Sequence, residues 1–293
     1  MGEGRGAAMR HGERDLTRQS LKSLDLLLER EIQKSRFKIS LCLYDFQTKQ
    51  WVEKNAGQTL YPASLIKLLY LLTALEQLER GILSLTDKHI LTDADKYVGT
   101  TKVTGSGSLQ FAEIGSSYTV AELLRLMISA SDNIAANIVL DLVRPEAVSA
   151  MAARLGLTKT RGTRKMYALE SSLPPNLSTA RELTELLVAL ENKQVCGEGL
   201  KNLAVSMMLE TENKQRIGRY IHNKDALVAN KVGTVDHMVG DMALLYFPHR
   251  PPLALTIMIS LSPCRLAVVN AMARRAAGAA IGRLASRIVK ELR

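Results

Sequence analysis

Leu16, Leu21, Leu24, Leu27, Leu28 and Ile32 recur at helical spacing, which predicts an amphipathic helix over roughly residues 14–35 with a charged outer face. Residues 38–46 then alternate with the period of a strand, and residues 50–54 read as its hairpin partner. From 65 to 78 the apolar run reads as a buried helix, with Pro62 just before its start, where proline suits a helix N-terminus. Gly, Ser and Thr dominate residues 96–117, which read as loop. Helices are expected over 120–127, 134–143 and 145–155. An irregular stretch, 161–177, follows and is broken by Pro174 and Pro175. Ser178 or Thr179 caps the next helix, which runs to about residue 190, and Glu182 fits a capping box if Thr179 is the cap. Residues 202–210 continue the helical region.

After Asp225 the texture changes. Residues 226–234, 238–247 and 253–261 read as three strands, and a helix over about 266–292 closes the chain. Its Ala273, Ala276, Ala277, Gly278, Ala279, Ala280 and Gly282 suit close packing on a sheet. Terminal segments that both supply strands imply one sheet with the helical block inserted between them. That gives a flexible leader at 1–15, an α/β lobe from 16–60 and 216–293, and an all-α lobe from 61–215. A cleft between lobes is where ligand sites concentrate.

Composition narrows the class. The chain has 293 residues, 46% apolar and 23% charged, which is ordinary for a globular protein and excludes a disordered or collagen-like chain. No window is long and apolar enough for a membrane span. The formal net charge is +10, with much of the excess near the ends: Arg5, Arg10, Arg14 and Arg18, then Arg265, Arg274, Arg275, Arg283, Arg287, Lys290 and Arg293. Without a recognisable nucleic-acid module, and with aromatics at 4%, this reads as a solvated basic tail and helix face. Cys42, Cys196 and Cys264 are single and far apart, so they read as buried small hydrophobes rather than zinc ligands. Residues 1–18 have no apolar core, so they are not a secretory signal. A complete chain would therefore be cytoplasmic, and one that had lost a signal would be periplasmic or secreted.

Three short motifs carry chemistry. Ser64-Leu65-Ile66-Lys67 places a hydroxyl and an amine on one helix face, one turn apart. A serine is a weak nucleophile until a neighbouring base takes its proton. Ser131-Asp132-Asn133 lies between two helical segments, where a hydroxyl could pass a proton to a leaving nitrogen. Lys231-Val232-Gly233-Thr234 lies on an expected strand, and its glycine lets a substrate backbone come close to the strand edge. Each motif alone is a weak signal; together, in this order and context, they are specific.

The chain resembles the penicillin-recognising serine enzymes, most closely their class A β-lactamase-like branch, over roughly residues 15–293. The likeness extends to residues 105–110 and to the run 131–137. It implies an α/β (α+β) fold with a five-stranded antiparallel sheet, terminal helices on the sheet and an inserted all-α lobe. It also implies roles. Ser64 would form an acyl-enzyme and Lys67 would act as base in acylation. Ser131, assisted by Lys231, would relay a proton to the leaving nitrogen. Asn133, Gly233 and Thr234 would bind substrate, Asn133 by holding its side-chain amide. The backbone N–H groups of Ser64 and Thr234 would form the oxyanion hole. No metal or cofactor is implied.

Three departures matter. Val232 stands where the family has a hydroxyl residue, and Thr234, on the same strand face, is the available substitute. Met166 falls where efficient class A enzymes carry the glutamate that activates the deacylating water. Glu170 is the one carboxylate in that loop, read either as the deacylation base or as a loop-bracing charge. Beyond Lys231, where relatives offer an arginine to the substrate carboxylate, this chain has His237 and Asp241; the aspartate would repel a carboxylate, which argues against ordinary penicillins as tight substrates, while Arg274 or Arg275 could approach from the last helix. The expected function is a serine hydrolase that opens a β-lactam or related amide through Ser64. The alternatives are a penicillin-binding D,D-peptidase-like enzyme with slow deacylation and a cytoplasmic biosynthetic amidase or esterase. The expected partner is a small-molecule or peptide substrate, taken up by a monomer, with no nucleic acid.

Overall fold

A computed structural model describes residues 21–262 and 264–292. The leader, Arg5, Arg10, Arg14, Arg18, Arg293 and the start of the first expected helix lie outside the described residues. Helix α1 covers 21–33 and is followed by the hairpin β1 (Lys38–Asp45) and β2 (Gln50–Lys54). The helical block begins with α2 (Lys67–Glu79). Short strands follow: β3 (Lys88–Ile90), β4 (Tyr97–Val98), β5 (Thr101–Lys102) and β6 (Ser117–Thr119). Then come α3 (Val120–Ile128), α4 (Asn133–Val143), α5 (Pro145–Arg154), α6 (Ala180–Glu191) and α7 (Glu198–Leu209). Strands β7 (Leu227–Val235), β8 (Met238–Tyr246) and β9 (Leu253–Ser260) lead to α8 (Ala267–Leu292).

The main sheet has the order β2-β1-β9-β8-β7, antiparallel throughout. Its two faces follow from period-two alternation. Leu41, Leu43, Ala243, Leu245, Leu255 and Ile257 face α1 and α8, where Leu24, Leu28, Ile281 and Ile288 cover them. Cys42, Met242, Leu244, Ala254 and Met258 face the helical block. With both faces covered, β8 and β9 read as nearly continuous apolar runs. The same logic makes α2 a central helix, buried on every side from Lys67 to Leu75.

Some expectations are revised. The stretch 96–117 is not plain loop: β4 pairs with β5, and β6 pairs with β3. Helix α7 starts at Glu198 rather than 202. Thr179 caps α6 by accepting from Glu182 N at 3.0 Å, but the Glu182 carboxylate accepts from Lys159 N and Thr160 Oγ1 instead of turning back. The complete capping box belongs to Thr119 and Glu122 at the start of α3. The small residues of α8 serve two neighbours. Ala277 and Ala285 pack with the sheet, whereas a Cβ on Gly282 would lie 2.7 Å from Arg216 O and 2.9 Å from Arg219 Cβ. Gly282 therefore seats the turn at 217–220 directly on the helix.

Candidate active site

Ser64 lies in a 3-10 turn, Ala63–Ile66, that runs into α2. Leu65 and Ile66 are buried and fix the turn, while Ser64 is half-buried and lines the cleft. Ala63 holds φ 49°, a left-handed conformation that a residue with a side chain adopts only under constraint. The constraint comes from β7. A Cβ on Gly233 would lie 2.8 Å from both Leu65 Cγ and Pro62 O, and one on Gly240, its partner across β8, 2.9 Å from Leu65 Cδ1. The absence of a side chain at Gly233 lets the strand lie against the turn that carries Ser64. Gly233→Ala is expected to destabilise the fold by about 1–3 kcal/mol through overpacking. Thermal melting checks this, and an unchanged melting temperature would mean that the turn moves freely.

Lys67 and Lys231 are both fully buried and converge on the Ser131 turn. Lys67 Nζ donates to Ser131 O at 2.7 Å, Asp132 O at 3.1 Å and Asn133 Oδ1 at 2.9 Å, with Ser131 Oγ at 3.5 Å. Lys231 Nζ donates to Ser131 Oγ at 2.8 Å and to Val232 O at 3.0 Å. Burial, then the Lys231 charge, push the Lys67 amine well below its ordinary range against the opposing pull of Asp132. Burial likewise brings Lys231 down to about 7. Three acceptors surround the Lys67 amine, while full burial beside a second lysine opposes its charged form.

The turn that presents Ser131 is built by its neighbours. Ser131 takes φ 58°, and Asp132 caps α4, its Oδ1 accepting from Ile134 N and Ala135 N at 2.9 Å each. Asp132 Oδ2 accepts from Leu109 N at 2.9 Å, which ties down the 104–110 loop. Gly107, at φ 101°, lies so close that any side chain there would collide with Asp132. Asn133 has both ends of its amide engaged, Oδ1 with Lys67 and Nδ2 donating to Thr104 O at 2.9 Å.

At the other end of the cleft, the sequence reading missed Arg216. This buried arginine donates to Gly233 O at 2.7 Å, to Gly240 O and to Thr234 Oγ1. It therefore supplies positive charge beside Thr234, which lines the cleft together with Val232. No motif marks it, since it sits in a polar connection with no periodicity. Asp241, expected to repel a substrate carboxylate, is buried and turned away. It accepts from Ile217 N at 3.0 Å and Asn230 Nδ2 at 3.1 Å, and burial raises its pKa to about 6 despite Arg216. Arg274 pairs with the exposed Asp236 at 2.8 Å, and His237 lies against the Tyr61 ring.

Met166 lines the cleft and is nearly buried. Its backbone is held on both sides by Asn137, with Met166 N donating to Asn137 Oδ1 at 2.7 Å and Asn137 Nδ2 donating to Met166 O at 3.1 Å. Glu170 is not brought to the cluster. It is exposed, is not part of the cleft lining, and accepts from Thr100 Oγ1 at 3.3 Å. That placement is the loop-bracing arrangement. The cleft encloses about 610 Å³, with Tyr61, Tyr167 and the glycine loop on its walls. The three cysteines are free, and no group of three His, Cys, Asp or Glu among the described residues is placed to hold a metal ion. No helix among them is long and apolar enough to cross a membrane.

Fold and site together define an active-site serine hydrolase of the kind that acts on amide bonds. The family model described as the beta-lactamase enzyme family matches residues 23–292, and the chain belongs to that family. It is 26% identical over 230 residues to a β-lactamase of Streptomyces fradiae, covering 73% of this chain and 71% of the relative. The crystal structure of a β-lactamase from Sphaerobacter thermophilus superposes with a TM-score of 0.77 at 24% identity, covering 88% of this chain and 91% of that one. PBP-A superposes at 0.79 with 17% identity over 92% and 96%, and a variant of PBP-A with a TM-score of 0.77 was seen as an acyl-enzyme with penicillin G, at 17% identity over 93% and 95%.

Proposed function

We propose that the protein is acylated at Ser64 by β-lactams or related amides and that hydrolysis of the acyl-enzyme is its slow step. The observation that carries this reading is the convergence of two fully buried lysines on Ser131 in a cleft that Ser64 lines. Ser64 Oγ attacks the amide carbonyl and its proton passes to neutral Lys67, which gives up one of its present acceptors to offer its lone pair. The proton then reaches the leaving nitrogen through Ser131, whose hydroxyl is oriented by Lys231. Backbone N–H groups of Ser64 and Thr234 receive the oxyanion. Strand β7 is a sheet edge, so alternate backbone groups along it have no strand partner. The substrate carboxylate meets the Thr234 hydroxyl, which Arg216 holds and backs with positive charge, and the substrate's side-chain amide meets Asn133. Deacylation lacks a partner of this quality, because Met166 cannot accept a proton and Glu170 stands outside the cleft.

Intact-protein mass spectrometry over time, after mixing with a penicillin and with a cephalosporin, tests the proposal. The expected result is one adduct per chain that persists well beyond the acylation phase. Rapid turnover without an accumulating adduct would overturn the slow step. No adduct and no hydrolysis would overturn the substrate class.

A further inference from the structure

A second cavity, of about 900 Å³, opens between the end of α1, the turn at 217–220 and α8, and shares no lining residue with the Ser64 cleft. Its wall carries Lys34, Arg219, His222, Arg283, Arg287 and Lys290, against one lining carboxylate, Glu31. Arg283, Arg287 and Lys290 stand at i, i+4 and i+7 of α8, so they share a face and repel one another. By contrast, Lys54, Arg125, Lys165 and Arg181 each meet a carboxylate. Lys34, Arg219, Arg283, Arg287 and Lys290 form no ion pair among the described residues.

The turn that carries Arg219 is also held in place. Gly282 seats the 217–220 turn on α8, and this brings Arg219 beside the α8 stripe without any side chain intervening. A group of like charges fixed around a hollow focuses positive potential there and favours an anionic occupant. The shape narrows the choice. The volume lies in the range of small-molecule pockets. Leu284, Ala280 and the exposed Tyr220 ring add an apolar wall that a bare phosphate would not use. Guanidinium groups suit phosphate oxygens by paired, charge-assisted hydrogen bonds.

We propose that this cavity binds a small polyanion bearing two or more phosphate groups, at a site separate from the Ser64 cleft. Titration calorimetry of the full chain with inorganic tripolyphosphate, and separately with adenosine triphosphate, tests it at low ionic strength. The expected result is one site per chain for at least one of the two, weakening as salt rises. Tighter binding of the nucleotide would identify an organic polyphosphate as the ligand, and equal binding would mean that the phosphates alone are recognised. Arg283→Ala combined with Arg287→Ala is expected to weaken binding by at least about tenfold, with the melting temperature and Ser64 acylation unchanged. Both residues are exposed, so the variant folds. No binding of either probe, or equal affinity in the double variant, overturns the site. Binding to anionic phospholipid vesicles without binding to either soluble probe also overturns it, in favour of a membrane surface.

Discussion

Ser64→Ala is expected to remain at its unmodified mass at every time after mixing with penicillin, while the unaltered chain gains one drug equivalent. Losing a catalytic nucleophile lowers turnover by on the order of 10⁶, which puts acylation below detection. The prediction is sharp because the cleft offers other hydroxyls. Ser106, Ser129, Ser131 and Thr234 also line it. Ser131 Oγ is 2.8 Å from Lys231 Nζ, and Thr234 Oγ1 accepts from Arg216, so both are already committed. The Ser64 hydroxyl makes no hydrogen bond among the described residues, so its removal strands no partner. Stability should therefore shift by no more than about 0.5 kcal/mol, as for surface substitutions away from special features. An adduct that persists in Ser64→Ala, mapped by peptide digestion to Ser131 or elsewhere, would sink the assignment of the nucleophile.

The sequence carried the fold where burial imposes a period. Residues 38–46 alternate because β1 has one face toward α1 and α8 and the other toward the helical block. The run from 65 to 78 lacks a polar side because α2 is enclosed. The site was legible for the same kind of reason. Ser64 and Lys67 are three apart in one turn, and Ser131 to Asn133 form one tight turn, so local spacing preserves their geometry. What escaped depends on contacts between distant segments. Arg216 acts through Gly233, Thr234 and Gly240, all seventeen or more positions away, and no local pattern reports that. Asp241 was misjudged because period-two alternation does not say which of two covered faces a polar residue takes. The packing role of Gly233 escaped because its neighbour, the Pro62–Leu65 turn, lies far off in the chain. Glu170 was the only acid in its loop, and it took the backbone fold of 164–176 to turn it outward. Arg164 N and O both bond to the Asn176 amide there, and Arg164 Nε reaches Ala168 O at 2.8 Å.

Met166→Glu is expected to shorten the lifetime of the penicillin adduct by about 10²–10⁴, the usual gain from a positioned general base. The backbone at this position is already fixed by two hydrogen bonds to Asn137, neither of which involves the Met166 side chain. The replacement thus inherits a held main chain, with its carboxylate aimed into the space the thioether now fills. That side chain is only 6% exposed, so the new carboxylate loses solvation, and burial raises its pKa toward the range in which a base is most effective near neutral pH. The same burial lowers stability by about 1–3 kcal/mol, visible as a reduced melting temperature. Met166→Gln separates proton chemistry from polarity: it offers similar length and no base, and should leave the adduct long-lived. Glu170→Gln, in the unaltered chain, should not change the adduct lifetime, because that carboxylate contacts Thr100 at the surface and not the acyl group. Single-turnover decay of the adduct measures all three. Unchanged decay in Met166→Glu would move water activation to another group, of which buried Lys67 is the nearest in chemistry, and faster decay in Met166→Gln would mean that the thioether merely excludes water from the cleft.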